Sequence, residues 1–386
     1  MVATLLLVLV LQYLSDVQIV VPMATAYVIH LVIVFLLLPH LGFLYPDVGT
    51  FHSMTLSLLA GEFPTFATGV DSFIAFQSIL YLVFSEDYRV VTIFNSLFSV
   101  LLVLPIIVIA RDLYPDIRTR RGLFSVLILF LPIPFLQLTL PLRDSLSLLL
   151  FFSLLACVSL SVSRDRWWSL LCFPLGGLTY LLRSELVLLL FVALLAGTGF
   201  SAVREWELNQ SFLGIVVGGS GVIGFLAFTR RYSINNLNTI VQARASGRAA
   251  YLASFEYTSW MDVIVSAPIR AVYFLFAPFP SQMSSVFDLA PAVMSLVLIA
   301  FVVTAYRSLS EANPNYLLVS ILGVLFLGGI TGYGLIDSNY GTTIRHRIPF
   351  VYLLVVFSAP VIYRYEDSIM CWLRSIPNNN SSENSQ

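Results

Sequence analysis

The chain contains no lysine; all twenty of its basic residues are arginines. It is short of charge altogether, with Asp, Glu, Lys and Arg making up 11% of its 386 residues and a net charge of −1. Soluble domains carry about 25% charged residues, so a soluble fold does not suit this composition. A net charge near zero singles out no class of partner, and nucleic acid is not expected among them. Cysteine is scarce too. Cys157, Cys172 and Cys371 lie in or beside apolar segments without metal-ligand spacing, which argues against a disulfide framework. The first stretch, MVATLLLVLVLQYLS, lacks a basic start and a clear cleavage site, so no cleavable signal peptide is expected. Heptads, GxGxxG, a P-loop and HExxH are all missing.

What the chain has is apolar sequence, at 58% of residues. Repeated runs of about twenty apolar residues cannot all hide in one soluble core, so they are read as membrane spans. They are too long and too uniformly apolar for barrel strands, which alternate. The expected fold is all-α, a polytopic transmembrane helical bundle of about ten or eleven spans with short outer-face helices. Candidate spans are 19–43, 88–110, 122–140, 146–163, 167–182, 186–202, 211–229, 286–306, 316–336 and 348–363. Residues 1–15 are either a short eleventh span or an interfacial segment. Residues 72–84, SFIAFQSILYLVF, read as a surface helix or one end of a tilted one. Residues 1–370 form one transmembrane domain with outer loops at 40–87 and 230–285, and 371–386 is a polar, disordered cytoplasmic tail.

Sidedness follows from short loops rich in arginine. RDLYPDIRTRR at 111–121 and SRDRWW at 163–168 read as cytoplasmic. LPLRDS at 140–145 and the acidic segment 40–87 then fall outside. Many arginines also fall outside, against the usual bias, so either the topology is partly wrong or these arginines have something to bind. In the long segment 230–285, Arg244 and Arg248 stand four apart and share a helix face. Its second half is aromatic, broken by prolines, and expected to skirt the interface.

Several groups on the expected outer side can carry chemistry. Asp47, between Pro46 and Val48 in FLYPDVGTFHSM, is either a solvated loop acid or a carboxylate aimed at the bundle to accept a proton. His52 follows it without an assigned role. Arg143 and Asp144 stand where a helix starts: the acid suits the helix dipole, and the arginine suits an anion. Arg183 and Glu185 interrupt two apolar runs, where ionisable groups either pair or face a cavity. Arg345, His346 and Arg347 offer three potential cations at one span end, either interfacial anchors or a phosphate clamp.

These stretches resemble the GT-C superfamily of integral-membrane glycosyltransferases. YPDVGTFHSMTLSLLAGEFP is similar to its first outer loop, and LPLRDSLSLLLFFSLLACVSLS to its charged helix start. YLLRSELVLLL resembles its short charged break, and YGTTIRHRIPFVYLLVVFSAP its basic motif before a late span. APIRAVYFLFAPFPS is similar to stretches in uncharacterised relatives. The resemblance implies a multi-pass cell-membrane enzyme with its site on the non-cytoplasmic face. It implies inverting transfer of a sugar, mannose or another hexose, from a polyprenyl- or dolichyl-phosphate carrier to a lipid- or protein-linked glycan. Asp47 would be the base. Arg143, Arg345, His346 and Arg347 would hold the carrier phosphate. His52, Asp144, Arg183, Glu185, Arg244 and Arg248 would bind or orient substrate. Gly49 stands where a second acid would be expected, so no cofactor or metal is indicated. A polymerase or ligase of lipid-linked glycans, or a flippase for them, is the alternative.

Overall fold

The computed structural model describes residues 2–37, 46–62, 69–117, 122–205, 229, 232–245, 249–252, 255–283 and 288–375. Every regular element among them is a helix, and one isolated antiparallel bridge joins Ala250 to Asn339. The chain is a polytopic helical bundle. Six described helices are long and apolar enough to cross a bilayer, or seven with one bent pair.

The order begins with α1 (Val2–Tyr13) and α2 (Val17–Leu36). With 12 residues, α1 reaches about 18 Å, too short for a crossing of about 30 Å. It leans on α2, where Thr4 Oγ1 lies 3.2 Å from the Tyr27 hydroxyl. Two short helices follow, α3 (Pro46–Leu59) and α4 (Gly69–Val83), then the span α5 (Tyr88–Leu113). The expected span 122–140 is instead two short helices, α6 (Gly122–Phe130) and α7 (Pro132–Gln137). Pro132 has no N–H to continue the ladder and pushes Leu131 into an extended ψ of 121°.

Next come α8 (Asp144–Ser163) and α9 (Ser169–Glu205). The second is continuous except at Arg183, whose φ of −148° and ψ of 77° are not helical. Contacts along its length show that the chain folds back there. Before the break, Arg183 meets Asp144 and Cys172 lies near Cys157, so the first arm runs antiparallel to α8. After the break, Glu185 meets Tyr333, Leu189 approaches Gly328 and Gly197 abuts Ile321. The second arm therefore runs antiparallel to α13 (Tyr316–Ile336). A straight helix from Arg166 to Ser201, 36 residues, would be about 54 Å long, nearly twice the bilayer core. Folding at Arg183 turns it into the two runs expected at 167–182 and 186–202.

The remaining elements are α10 (Ile234–Arg244), α11 (Trp260–Phe276), α12 (Leu289–Glu311), α14 (Tyr340–His346), α15 (Ile348–Phe357) and α16 (Ala359–Ser375). The last two are bent by 62°. The second half of the 230–285 segment, expected at the interface, packs against the end of α13. It forms α11, which lies so close to α13 that a Cβ on Gly334 would stand 2.8 Å from the Arg270 carbonyl oxygen. Residues 371–375, expected in the tail, continue α16. The expected span 211–229, apart from Thr229, and the tail 376–386 lie outside the described residues.

The bundle has two polar ends, distinguished here by their buried carboxylates. At the Asp144 end are the starts of α3, α8 and α12, the fold-back of α9 and the end of α13. At the Asp112 end, Leu113 accepts from the Asn315 N–H at 2.8 Å, Asp112 meets Ser159, and Arg364 meets Glu311.

Candidate functional site

The Asp144 end collects charge from five elements. Its frame is the turn 138–143, pinned to α5 by Asn95 Nδ2, which donates to the Leu140 and Leu142 carbonyls at 2.5 and 2.8 Å. The Ser145 hydroxyl donates back to the Leu138 carbonyl. This fixes the start of α8, and Asp144 stands in its first turn, where the helix dipole favours an anion.

Asp144 is 1% exposed and is shared by two guanidinium groups. Arg183, at the fold-back of α9, donates to its Oδ1. Arg345, near the end of α14, donates through Nε to its Oδ2 at 3.1 Å. The same Arg345 reaches Asp47 Oδ2 with NH1 at 2.7 Å. One chain of charge therefore runs Arg183, Asp144, Arg345, Asp47. Its inner end is sealed and its outer end open, since the Asp47 side chain is 52% exposed. Asp47 sits in the first turn of α3, and its Oδ1 has no hydrogen bond among the described residues. Arg143 stands beside this chain and donates from NH1 to the Leu182 carbonyl at 3.1 Å. Burial, helped by the nearby Arg183, pushes its guanidinium below the ordinary value.

A second group adjoins the first. Asp337, fully buried where α13 ends, accepts from Arg244 on Oδ1 and meets His346 Nδ1 at 2.8 Å with Oδ2. The His346 ring lies 5.1 Å from the Tyr333 ring, and the Tyr333 hydroxyl donates to Glu185 Oε1 at 3.2 Å. Arg345 and His346 are consecutive, so α14 joins the two groups.

One expectation needs correction. Arg345, His346 and Arg347 do not form one clamp. Arg347 is 1% exposed and turns inward, donating from NH1 to the Leu275 and Ala277 carbonyls at 3.1 and 2.8 Å. Successive helical residues point about 100° apart, so three in a row cannot share a face. Burial pushes the Arg347 guanidinium down to about 10. His52 stands against α4 and α5. Its Nδ1 lies 2.7 Å from the Tyr81 hydroxyl, with its ring packed on Tyr81 and Tyr88. Arg244 pairs with Asp337 at the last position of α10; Arg248, expected on the same face, lies outside the described residues.

Sequence reasoning passed over Asp337 and Arg270. Asp337 closes an apolar run, and that position is its only signal. Arg270 is fully buried on α11, donates to Ser338 Oγ at 3.3 Å, and stacks over Phe255 and Tyr257 at 4.9 and 5.0 Å. Among the described residues, no three His, Cys, Asp or Glu side chains are close enough to share a metal ion.

The arrangement holds a half-exposed carboxylate and several arginines on a sealed ionic base. It can accept a proton at Asp47 and present positive charge beside it. Comparison with family models, curated proteins and solved structures finds no match for this chain.

Proposed function

We propose that this membrane protein is a glycosyltransferase that moves a hexose from a polyprenyl- or dolichyl-phosphate carrier to a glycan on lipid or protein, with inversion, at the non-cytoplasmic face. The observation that carries this reading is the ionic chain Arg183–Asp144–Arg345–Asp47. A base for a hydroxyl acceptor needs an accessible, ionised carboxylate held in place. Asp47 is accessible, and Arg345 holds one of its oxygens while leaving the other open.

In this reading Asp47 Oδ1 takes the proton of the acceptor hydroxyl as its oxygen attacks the anomeric carbon. The carrier phosphate leaves from the opposite side, and its charge grows in the transition state. Arg345 and Arg143 are the cations positioned to meet that charge. Arg347, closed in by backbone carbonyls, serves instead to fix the end of α11 against α14. Asp144 and Arg183 position Arg345 and do not touch substrate.

The test is transfer from a polyprenyl-phosphate sugar in isolated membranes carrying Asp47→Asn. The expected loss is about 10²- to 10⁴-fold, the range of a removed general base. Full activity in a well-folded variant overturns the assignment. Addition of single sugars supports a monosaccharide transferase, whereas long products move the assignment to a polymerase.

A further inference from the structure

We infer that His346 and Asp337 form a carboxylate–imidazole dyad whose free Nε2 is a second acid–base group of the site, giving a proton to the oxyanion of a phosphorylated ligand. The inference rests on the transfer reading for its chemistry and on the dyad geometry for its existence.

The geometry fixes that the ring carries a hydrogen on Nδ1. Asp337 is fully buried, and its Oδ1 is taken by Arg244, which keeps an anion there matched by a cation. A carboxylate only accepts, so at 2.8 Å the Nδ1 of His346 must carry the hydrogen. The neutral ring then has its lone pair on Nε2. That nitrogen has no hydrogen bond among the described residues, and the side chain keeps 15% of its surface. A histidine with one nitrogen tied to a buried acid and the other open is the arrangement used to hold and pass a proton. Anchoring at the interface would not require the buried acid.

The surroundings favour the protonated form's partner being an anion. Tyr333 packs on the ring from α13, and Glu185 follows behind that tyrosine on α9. Asp144 on α8 and Glu185 both lie within electrostatic reach of His346. Arg244 on α10 stands behind Asp337, and Arg345 is the preceding residue on α14. The dyad therefore lies next to Arg345, the cation already facing Asp47.

The step balances. The acceptor O–H gives its proton to Asp47, and its oxygen forms the new bond to the anomeric carbon. The bond from that carbon to the phosphate oxygen breaks, and its electron pair stays on the phosphate. The phosphate, now a monoester with a second pKa near 6, takes the Nε2 proton, and the imidazolium becomes neutral.

The chain has four histidines, so imidazole ¹⁵N NMR of the full chain in detergent is tractable. His346 is assigned as the signal missing from His346→Gln. The expected result is an Nδ1–H ring at high pH, and an Nε2 resonance that moves on adding a short-chain isoprenyl phosphate. Inorganic phosphate in a parallel titration separates recognition of the lipid from recognition of phosphate alone. An Nε2–H ring, or no response to either phosphate, overturns the dyad. In transfer assays His346→Gln lowers the rate about 10²-fold. An unchanged rate in a folded His346→Gln also overturns the inference. A responsive His346 in a protein that transfers no sugar leaves the dyad standing and removes the transfer reading.

Discussion

The two ends of the bundle each bury one carboxylate among arginines, and they do it differently. At the Asp144 end the partners are buried as well: the side chain of Arg183 is 3% exposed, and that of Arg345 is 19% exposed. At the Asp112 end the acid is equally covered, but Arg111 and Arg164 bring it charge from side chains 32% and 50% exposed. The Asp112 arginines keep more of their hydration and would lose less if the acid went. The Asp144 arginines have given up water and depend on the acid. A protein needs only the first arrangement to finish a helix end. The second costs more to build, and it holds Arg345 and Asp47 in a fixed relation at the surface.

The largest expected effect tests this contrast. Asp144→Asn leaves Arg183 buried without a counter-charge and should cost about 3–5 kcal/mol, the range for a broken buried pair. Asp112→Asn keeps a partner for Ser159 but removes the charge from two partly solvated pairs, and should cost about 1 kcal/mol. Thermal unfolding of both variants in the same detergent measures the difference. Equal losses would show that the two ends are energetically alike.

A middle-sized effect probes how tightly each end is packed. A Cβ on Gly69 would overlap the Leu182 carbonyl oxygen and stand 2.6 Å from Arg143 NH1. Backbone at the fold-back of α9 cannot yield, so Gly69→Ala should push α4 away and cost about 1–3 kcal/mol. At the other end, a Cβ on Gly122 meets Glu366 Oε1 at 2.9 Å, the tip of a flexible side chain. Gly122→Ala should therefore cost under about 1 kcal/mol, with helix propensity offsetting the shift of Glu366. Transfer activity provides a second reading, since only Gly69→Ala disturbs Arg143 and Arg183.

Much of this was legible before the structure, and the rest fails for identifiable reasons. Charges at the ends of apolar runs marked Asp47, Asp144, Arg183, Glu185 and Arg345, and run lengths put them at one end. The runs around Arg183 also read correctly as two, because a continuous helix there would overshoot a bilayer. Sequence spacing could not say which way each side chain turns. Arg347 looks like part of a basic cluster in the sequence, but α14 rotates it inward to the 275–277 carbonyls. His52 looks close to Asp47, but five helical residues carry it to the opposite flank, against Tyr81. The break at 131–132 was visible as two prolines and was outweighed by the apolar count. Asp337 carried only its place at the end of an apolar run, because its partners lie 93 residues before it and 9 after it.

The smallest expected effect concerns a surface pair and sets the baseline for the comparison. Arg364 NH1 meets Glu311 Oε2 at 2.6 Å at the Asp112 end, with side chains 61% and 46% exposed. The short distance suggests strength, but both groups remain in water. There, Coulomb attraction is screened and two long side chains must be ordered. Arg364→Gln should change stability by less than about 0.5 kcal/mol. The small contribution of the pair should also vanish in high salt, which the Asp144–Arg183 pair should resist because ions do not reach it. Unfolding midpoints at low and high salt, for the parent chain and Arg364→Gln, measure both quantities. A loss above about 1 kcal/mol would mean that exposure does not separate the two ends, and that the contrast between them lies in the geometry of the pairs alone.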